Sequence, residues 1–278
     1  MTARRPEPEV GDHVGPYRLE AQLGAGATGV VFRATHRDDG SPAALKILRS
    51  QLSADPTYVR RFLREVRVAE EVRSDHLVPV LASGVSAGRH YFAAKYVDYG
   101  SLAERLDEGT LPRAECLTIV SGVAAGLDAL HTVGLVHRDV KPANIMLGET
   151  DEVMLTDFGL ARSDAYTVLT TPGRPVGTPD YMAPELFLGE AASPASDIYA
   201  LGCVVYACLT GAPPFSGRRL IEVAAAHIDE QPRPVHELRR GVTKEASWVI
   251  DRALQKDPSQ RPATATAFAR LLRPALAT

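Results

Sequence analysis

The chain has 278 residues, a formal net charge of −3, 45% apolar residues and 23% charged residues, ordinary values for a soluble globular protein long enough to build two modest lobes or one large domain. A nucleic-acid-binding domain would show a basic excess; the charge balance has none, so nucleic acid is not an expected partner. Cys116, Cys203 and Cys208 form no CxxC pair and no metal-ligand spacing, which predicts buried thiols in a reducing cytoplasm.

Residues 1–14 are polar, charged and proline-bearing, without the apolar stretch of a signal peptide, and are expected to be a disordered leader. Alternating apolar residues separated by glycine or Asp-Asp-Gly turns predict strands at 17–23, 30–36 and 42–48. A helix follows over 56–72, with Val59, Phe62, Leu63, Val66 and Ala69 as its apolar stripe. Strands return near 77–83 and 91–96, and Tyr99-Gly100-Ser101 marks a bend. Beyond it the pattern is helical. Pro112 opens a helix whose Leu117, Val120, Ala124, Leu127 and Leu130 share one face that ends at His131. Further helices are predicted over 196–209, 220–228, 244–254 and 264–272. The longest apolar run, 198–209, falls short of the roughly 20 residues that cross a bilayer and predicts a core helix buried on all sides. A strand-rich third followed by a helical remainder suggests two lobes joined by a hinge.

Two constellations carry chemistry. The first is Gly24-Ala25-Gly26-Ala27-Thr28-Gly29-Val30-Val31. A dinucleotide-binding loop with these glycines would enter a helix, but Val30 to Thr35 is β-branched and alternates like a strand. A Walker loop would need Lys-Ser or Lys-Thr after Gly29. What survives is a glycine-rich hairpin whose backbone N–H groups lie over phosphates, with a plain hairpin turn as the bland alternative. Downstream, Lys46 sits among apolar residues in a strand, where its ammonium needs an anion. Glu65 can supply one: at 100° per residue it lines up with Phe62, Ala69 and Val72, whereas Glu70 and Glu71 turn away.

The second constellation is His137-Arg138-Asp139-Val140-Lys141-Pro142-Ala143-Asn144, followed by Asp157-Phe158-Gly159. Asp139, Asn144 and Asp157, with Lys141 between them, are oxygen donors suited to holding magnesium on a triphosphate while a hydroxyl is aimed at it. Phosphoryl transfer asks for that positioning and charge neutralisation more than for covalent chemistry.

Over roughly residues 15–272 these motifs resemble a bacterial, eukaryotic-like (Hanks-type) Ser/Thr protein kinase, the class that serves as a standard template for such motifs. The resemblance implies an α+β bilobal kinase fold: a small antiparallel-sheet lobe with one main helix (15–94), a hinge (95–100) and a larger helical lobe (101–275). It implies ATP and Mg²⁺ as cofactors, with Mn²⁺ as a possible substitute, and Ser or Thr on proteins as acceptor. Asp139 would accept the hydroxyl proton, Lys141 would meet the γ-phosphate, and Asn144 and Asp157 would bind the metal. His137 would be a packing residue. Lys46, as in a Val-Ala-Ile-Lys strand, would touch the α/β-phosphates and pair with Glu65.

The same resemblance implies that Leu23, Gly24, Ala25, Gly26, Ala27, Thr28 and Gly29 cover the nucleotide. Val31 and Ala44 would roof the adenine and Met146 would floor it. Lys95, Tyr96 and Val97 would bond the base through backbone groups. Two departures from the family pattern stand here: Ala94, where a larger side chain is common, and Lys95, where many relatives have an acid. Ala183-Pro184-Glu185 would close the activation segment, with Glu185 paired to Arg261, and Asp197 would hold the catalytic loop. Thr178 would shape the substrate pocket. Thr170 and Thr171, then Thr167, are the expected autophosphorylation sites, with Arg138 receiving the phosphate and a homodimer as one route to the reaction. A pseudokinase would lack one of Lys46, Asp139, Asn144 or Asp157, and all four are present. A small-molecule phosphotransferase would not need the stretch from Thr178 to Glu185. The expected setting is the cytoplasm, and a parent protein continuing into a membrane span is compatible with it.

Overall fold

The alternation read in the first third becomes a sheet in the computed structural model, which describes residues 7–148, 151–157 and 179–277. The chain divides into two units. One holds the residues up to Val72 together with Val78–Asp98; the other holds Arg73–Leu77 and the residues from Tyr99 onward.

The first unit contains β1 (His13–Val14), β2 (Tyr17–Ala25), β3 (Gly29–His36), β4 (Pro42–Leu48), β5 (Val80–Ser86) and β6 (Arg89–Lys95), in the antiparallel order β1-β2-β3-β4-β6-β5. Period-two patterning sends Leu19, Val30, Phe32, Leu45, Ile47, Tyr91 and Ala93 to one buried face. The leader expected to be disordered to residue 14 is in part strand: Val14 is buried and pairs with Tyr17. The strands expected at 77–83 and 91–96 are displaced to Val80–Ser86 and Arg89–Lys95, because the turn between them falls at Ala87-Gly88, both at positive φ.

Helices α1 (Ser50–Ser53) and α2 (Pro56–Glu71) lie between β4 and β5. Asp55 caps α2 by accepting from the Thr57 and Tyr58 N–H groups, with Pro56 at the first helical position. The buried residues of α2 are Tyr58, Phe62, Glu65, Val66 and Ala69. The inward stripe is therefore turned from the apolar one read in the sequence: Val59 and Leu63 are half-buried, and a carboxylate takes a buried place.

The second unit holds β7 (Gly100–Ser101), β8 (Ile145–Leu147) and β9 (Val153–Leu155) as a small sheet, and α3 (Leu102–Asp107), α4 (Arg113–Thr132), α5 (Pro184–Phe187), α6 (Pro194–Thr210), α7 (Leu220–Asp229), α8 (Val235–Leu238), α9 (Lys244–Ala253) and α10 (Ala265–Ala277). The bend expected at 99–101 is instead a short strand leading into α3, whose Ser101 and Glu104 form a capping box. Every residue of α6 from Ser196 to Leu209 is buried, as its unbroken apolar run predicts. It packs against α4, α9 and α10 and stops at Gly211, whose φ of 87° is the left-handed cap that glycine adopts freely. No helix among the described residues is long and apolar enough to cross a membrane.

Candidate active site

In the first unit the glycine-rich segment is the tip of the β2–β3 hairpin, closed by the Gly26 N–H donating to the Gly29 carbonyl at 2.8 Å. It enters a strand and not a helix, which removes the dinucleotide-loop reading. The glycines have different reasons. A Cβ on Gly29 would lie 2.2 Å from the Ile47 carbonyl oxygen, so β4 demands glycine there; a Cβ on Gly24 or Gly26 would meet nothing within 4 Å. The need for bare backbone at those two positions is not set by the chain's own packing.

Register brings the next residues together. Lys46 lies opposite Val31 on β3 and Phe92 on β6, and Ala44 lies opposite Ala94. Directly opposed residues share a face, so Val31, Ala44, Lys46, Phe92 and Ala94 line the side opposite the Leu45–Ile47 core. Phe92 packs against Phe62 of α2, ring centroids 6.2 Å apart. Glu65, 6% exposed, is one helical turn beyond Phe62. Glu70 instead accepts from the Ser83 hydroxyl, and Glu71 is exposed. At the end of β6, the Lys95 N–H donates to the Pro79 carbonyl, and the Tyr96 ring lies 5.1 Å from the Arg33 guanidinium. Lys95 is exposed, while Tyr96 and Val97 are half-buried.

In the second unit the loop after α4 gathers Arg138, Asp139, Lys141 and Asn144 within a few ångströms. Lys141 Nζ is 3.0 Å from Asp139 Oδ2. Asn144 Nδ2 donates to the Asp139 carbonyl at 2.8 Å and to its carboxylate at 3.0 Å. With Nδ2 so occupied, the Asn144 Oδ1 is turned away from Asp139. The Thr156 N–H donates to the Asn144 carbonyl, which places Asp157 beside the loop. One amide oxygen and one carboxylate, with no thiol or imidazole, suit a hard cation such as Mg²⁺, which takes few protein ligands and completes its shell with phosphate and water. His137 is fully buried, and its Nδ1 accepts from the Asp139 N–H at 3.3 Å. Met146 is half-buried on β8, opposite Ser101 and Met154.

Two residues here are left-handed without being glycine: Arg138 at φ 65° and Asp157 at φ 53°. Each costs on the order of 1 kcal/mol, so the surroundings must hold them. Asp197, at the start of α6 and 1% exposed, supplies part of that hold. Its carboxylate accepts from the His137 N–H at 2.8 Å, the Arg138 N–H at 2.9 Å and His131 Nε2 at 2.8 Å. Beyond His131 lies Asp128, 3.9 Å from its Nδ1, which also caps α10 by accepting from the Ala265 and Thr266 N–H groups. Neither His131 nor Asp128 stands out in the sequence; their only local signal is an i,i+3 acid–imidazole spacing at the end of an apolar stripe.

Glu185 and Arg261 form a bidentate pair, both contacts 2.8 Å, with the Arg261 side chain fully buried. Burial alone would push the Glu185 carboxyl up. The Arg261 guanidinium and the Ser196 hydroxyl outweigh it and hold the group below the usual range. Arg261 also donates to the Ala195, Gln255 and Lys256 carbonyls. Phe158, Gly159, Thr167, Thr170, Thr171 and Thr178 lie outside the described residues.

Against known proteins, the chain matches the family described as protein kinase domain over residues 17–271. It is 39% identical over 257 residues to serine/threonine-protein kinase PknD of Mycobacterium tuberculosis, covering 91% of this chain and 39% of that protein. It is 38% identical over 274 residues to PknE of the same species, covering 98% of this chain and 48% of that one. It spans less than half the length of these curated relatives. Crystal structures of the M. tuberculosis PknI kinase domain superpose with TM-scores of 0.76–0.78 at 29–30% identity, one covering 98% of this chain and all of its own. The chain is therefore a member of the protein kinase domain family.

Proposed function

We propose that the chain transfers the γ-phosphate of Mg-ATP to Ser and Thr hydroxyls of proteins. One observation carries the reading: the Asp139 carboxylate, held by Lys141 and by the Asn144 amide on a loop that Asp197 anchors from beneath. A carboxylate so placed can accept a proton from a hydroxyl and aim it. Lys141 then neutralises charge at the transferring group, and Asn144 Oδ1 and the Asp157 carboxylate would hold the metal. Bound Mg²⁺, or Mn²⁺ in its place, neutralises the phosphate oxygens. Lys46 positions the α/β-phosphates and is itself held by Glu65, a pairing supported by their common side of the sheet. Val31, Ala44 and Met146 sandwich the adenine, Lys95–Val97 bond its edge as part of the hinge, and Thr178 borders the acceptor pocket. The relatives, named serine/threonine-protein kinases, agree with Ser/Thr as acceptor, and the cytoplasm is the matching compartment.

The test is incubation with Mg-ATP, with and without a generic protein acceptor, read by mass spectrometry. Phosphoserine or phosphothreonine on the acceptor is expected, together with phosphate on Thr170 or Thr171 of the chain itself, with Thr167 as a lesser site. A phosphate brings about −1.5 to −2 charges that Arg138 can receive, and a homodimer is one way for two chains to exchange it. If phosphate on this segment switches the chain on, the Thr170→Ala/Thr171→Ala double variant should phosphorylate the added acceptor more slowly; full activity there would show that it does not. Nucleotide binding without any transfer would make the protein a binding module.

Ala94 gives a second, independent expectation. Its methyl group, opposite Ala44 and Val80, fills far less volume than the Met or Leu found in many relatives. Adenine analogues with a bulky aromatic substituent should bind, and Ala94→Met should exclude them while sparing ATP. Equal affinity in competition binding would mean that Ala94 does not border the base.

A further inference from the structure

We infer that Arg49 is a positioning residue that sets the phosphate-facing N–H groups of the glycine-rich hairpin, an inference that rests on the nucleotide-binding reading above. Arg49 follows β4 directly and reaches the hairpin tip twice. Its backbone N–H donates to the Thr28 carbonyl at 3.0 Å, and its side-chain Nε donates to the Gly26 carbonyl at 2.9 Å. Ala27 and Thr28 form a two-residue loop between Gly26 and Gly29. In such a loop the first flanking carbonyl ordinarily accepts from the N–H of the second. Here the Gly26 oxygen accepts from the guanidinium instead, and the turn has no bond from the Gly29 N–H to that oxygen.

The orientation of two peptide groups follows. In a trans peptide the C=O and the following N–H point opposite ways. With the Gly26 and Thr28 oxygens both turned onto Arg49, the N–H groups of Ala27 and Gly29 are both turned away from it. The Ala27 N–H has no acceptor among the described residues. Successive N–H groups on a turn form a concavity that binds anions. The absence of side chains at Gly24 and Gly26, where a Cβ would meet nothing, leaves an anion room to approach. Arg49 is itself fixed at its backbone as the residue preceding α1, its carbonyl accepting from the Leu52 and Ser53 N–H groups. Its hold on the hairpin therefore comes from β4 and α1, the rigid neighbour, and not from the hairpin's own turn.

The consequence is confined to phosphate. Removing the guanidinium lets the Gly26 carbonyl fall back onto the Gly29 N–H, which hides that donor without disturbing contacts to a base. Titration calorimetry of the 278-residue chain with Mg-ADP and, separately, adenosine reads this directly. Arg49→Ala should weaken Mg-ADP about tenfold, the worth of one hydrogen bond to a charged donor, and leave adenosine within about twofold. Arg49→Lys, whose ammonium can reach one carbonyl, should recover part of the loss. In steady state, KM for ATP should rise by the same factor with kcat at saturating ATP unchanged. Equal weakening of adenosine and Mg-ADP would show a general structural role and overturn the assignment, as would unchanged Mg-ADP affinity. If the unsubstituted chain bound neither ligand, the nucleotide reading itself would fall, a result distinct from either of those.

Discussion

Asp139→Asn is expected to keep the fold and nucleotide binding while turnover drops by about 10²–10⁴-fold, the usual worth of a positioned proton acceptor. The substitution is conservative in a specific sense. An asparagine oxygen can still accept from Lys141 Nζ and Asn144 Nδ2, which lie 3.0 Å from the present carboxylate, so the geometry of the loop survives and what is lost is basicity and charge. Asp157→Asn should behave differently, weakening Mg-dependent ATP affinity before it slows the chemical step. Single-turnover rates and ATP affinity measured on both variants separate the two outcomes. Turnover of Asp139→Asn near the unsubstituted rate would mean that another group takes the proton and that the loop has been misassigned.

Arg261→Met should destabilise the second unit by about 3–5 kcal/mol, because it leaves a buried carboxylate without its partner. For a chain of this size that corresponds to a fall in Tm of roughly 6–20 °C. Three carbonyls, those of Ala195, Gln255 and Lys256, lose a donor in the same step. The double variant Glu185→Gln/Arg261→Met should recover part of the loss, since the penalty belongs to the stranded charge. The sign of the pH dependence follows from the depressed Glu185 carboxyl. A folded-state value below the unfolded one of about 4.3 makes the pair's contribution full at neutral pH. It is lost as acid takes the pH down through the folded-state value. The gap in Tm between wild type and Arg261→Met should therefore be widest near pH 7 and narrow toward pH 3. A gap that stays constant over that range would show that the stability comes from packing around Arg261 and not from its charge.

What could be read in the chain and what could not divides along a physical line. Strands β2, β3 and β4 were legible because period-two alternation is a local signal, and α6 because an apolar run bounded by Pro194 and Gly211 admits little else. The Asp139-to-Asn144 cluster was legible for the same reason: its members lie on one loop, and their chemistry reads directly from residue type and spacing. The Glu185–Arg261 pair, 76 residues apart, followed from the resemblance rather than from any local pattern, and the structure bears it out at 2.8 Å. The apolar pattern of helix α10 predicts an end at residue 272, ahead of Pro274, yet the helix continues to Ala277. Burial of Leu276 accompanies that continuation past a residue with no N–H to give.

Other features had no local trace. Strands β8 and β9 are three residues each, too short for periodicity, and exist because β7 and each other supply their hydrogen bonds. The left-handed φ of Arg138 runs against the preference of its residue type, and that of Asp157 is uncommon even for aspartate. For Arg138 it is held in part by Asp197, 59 residues away, which no window of sequence contains. The same holds for Asp128 capping a helix 137 residues downstream, and for Arg49 on a carbonyl 23 residues before it. The sequence by itself determined which chemical groups the site has and the order in which they come, because side-chain chemistry and short-range spacing are local properties. Tertiary structure decided how those groups are held, because a hydrogen bond is satisfied by whatever donor the packed chain brings within about 3 Å, however far away it lies in sequence.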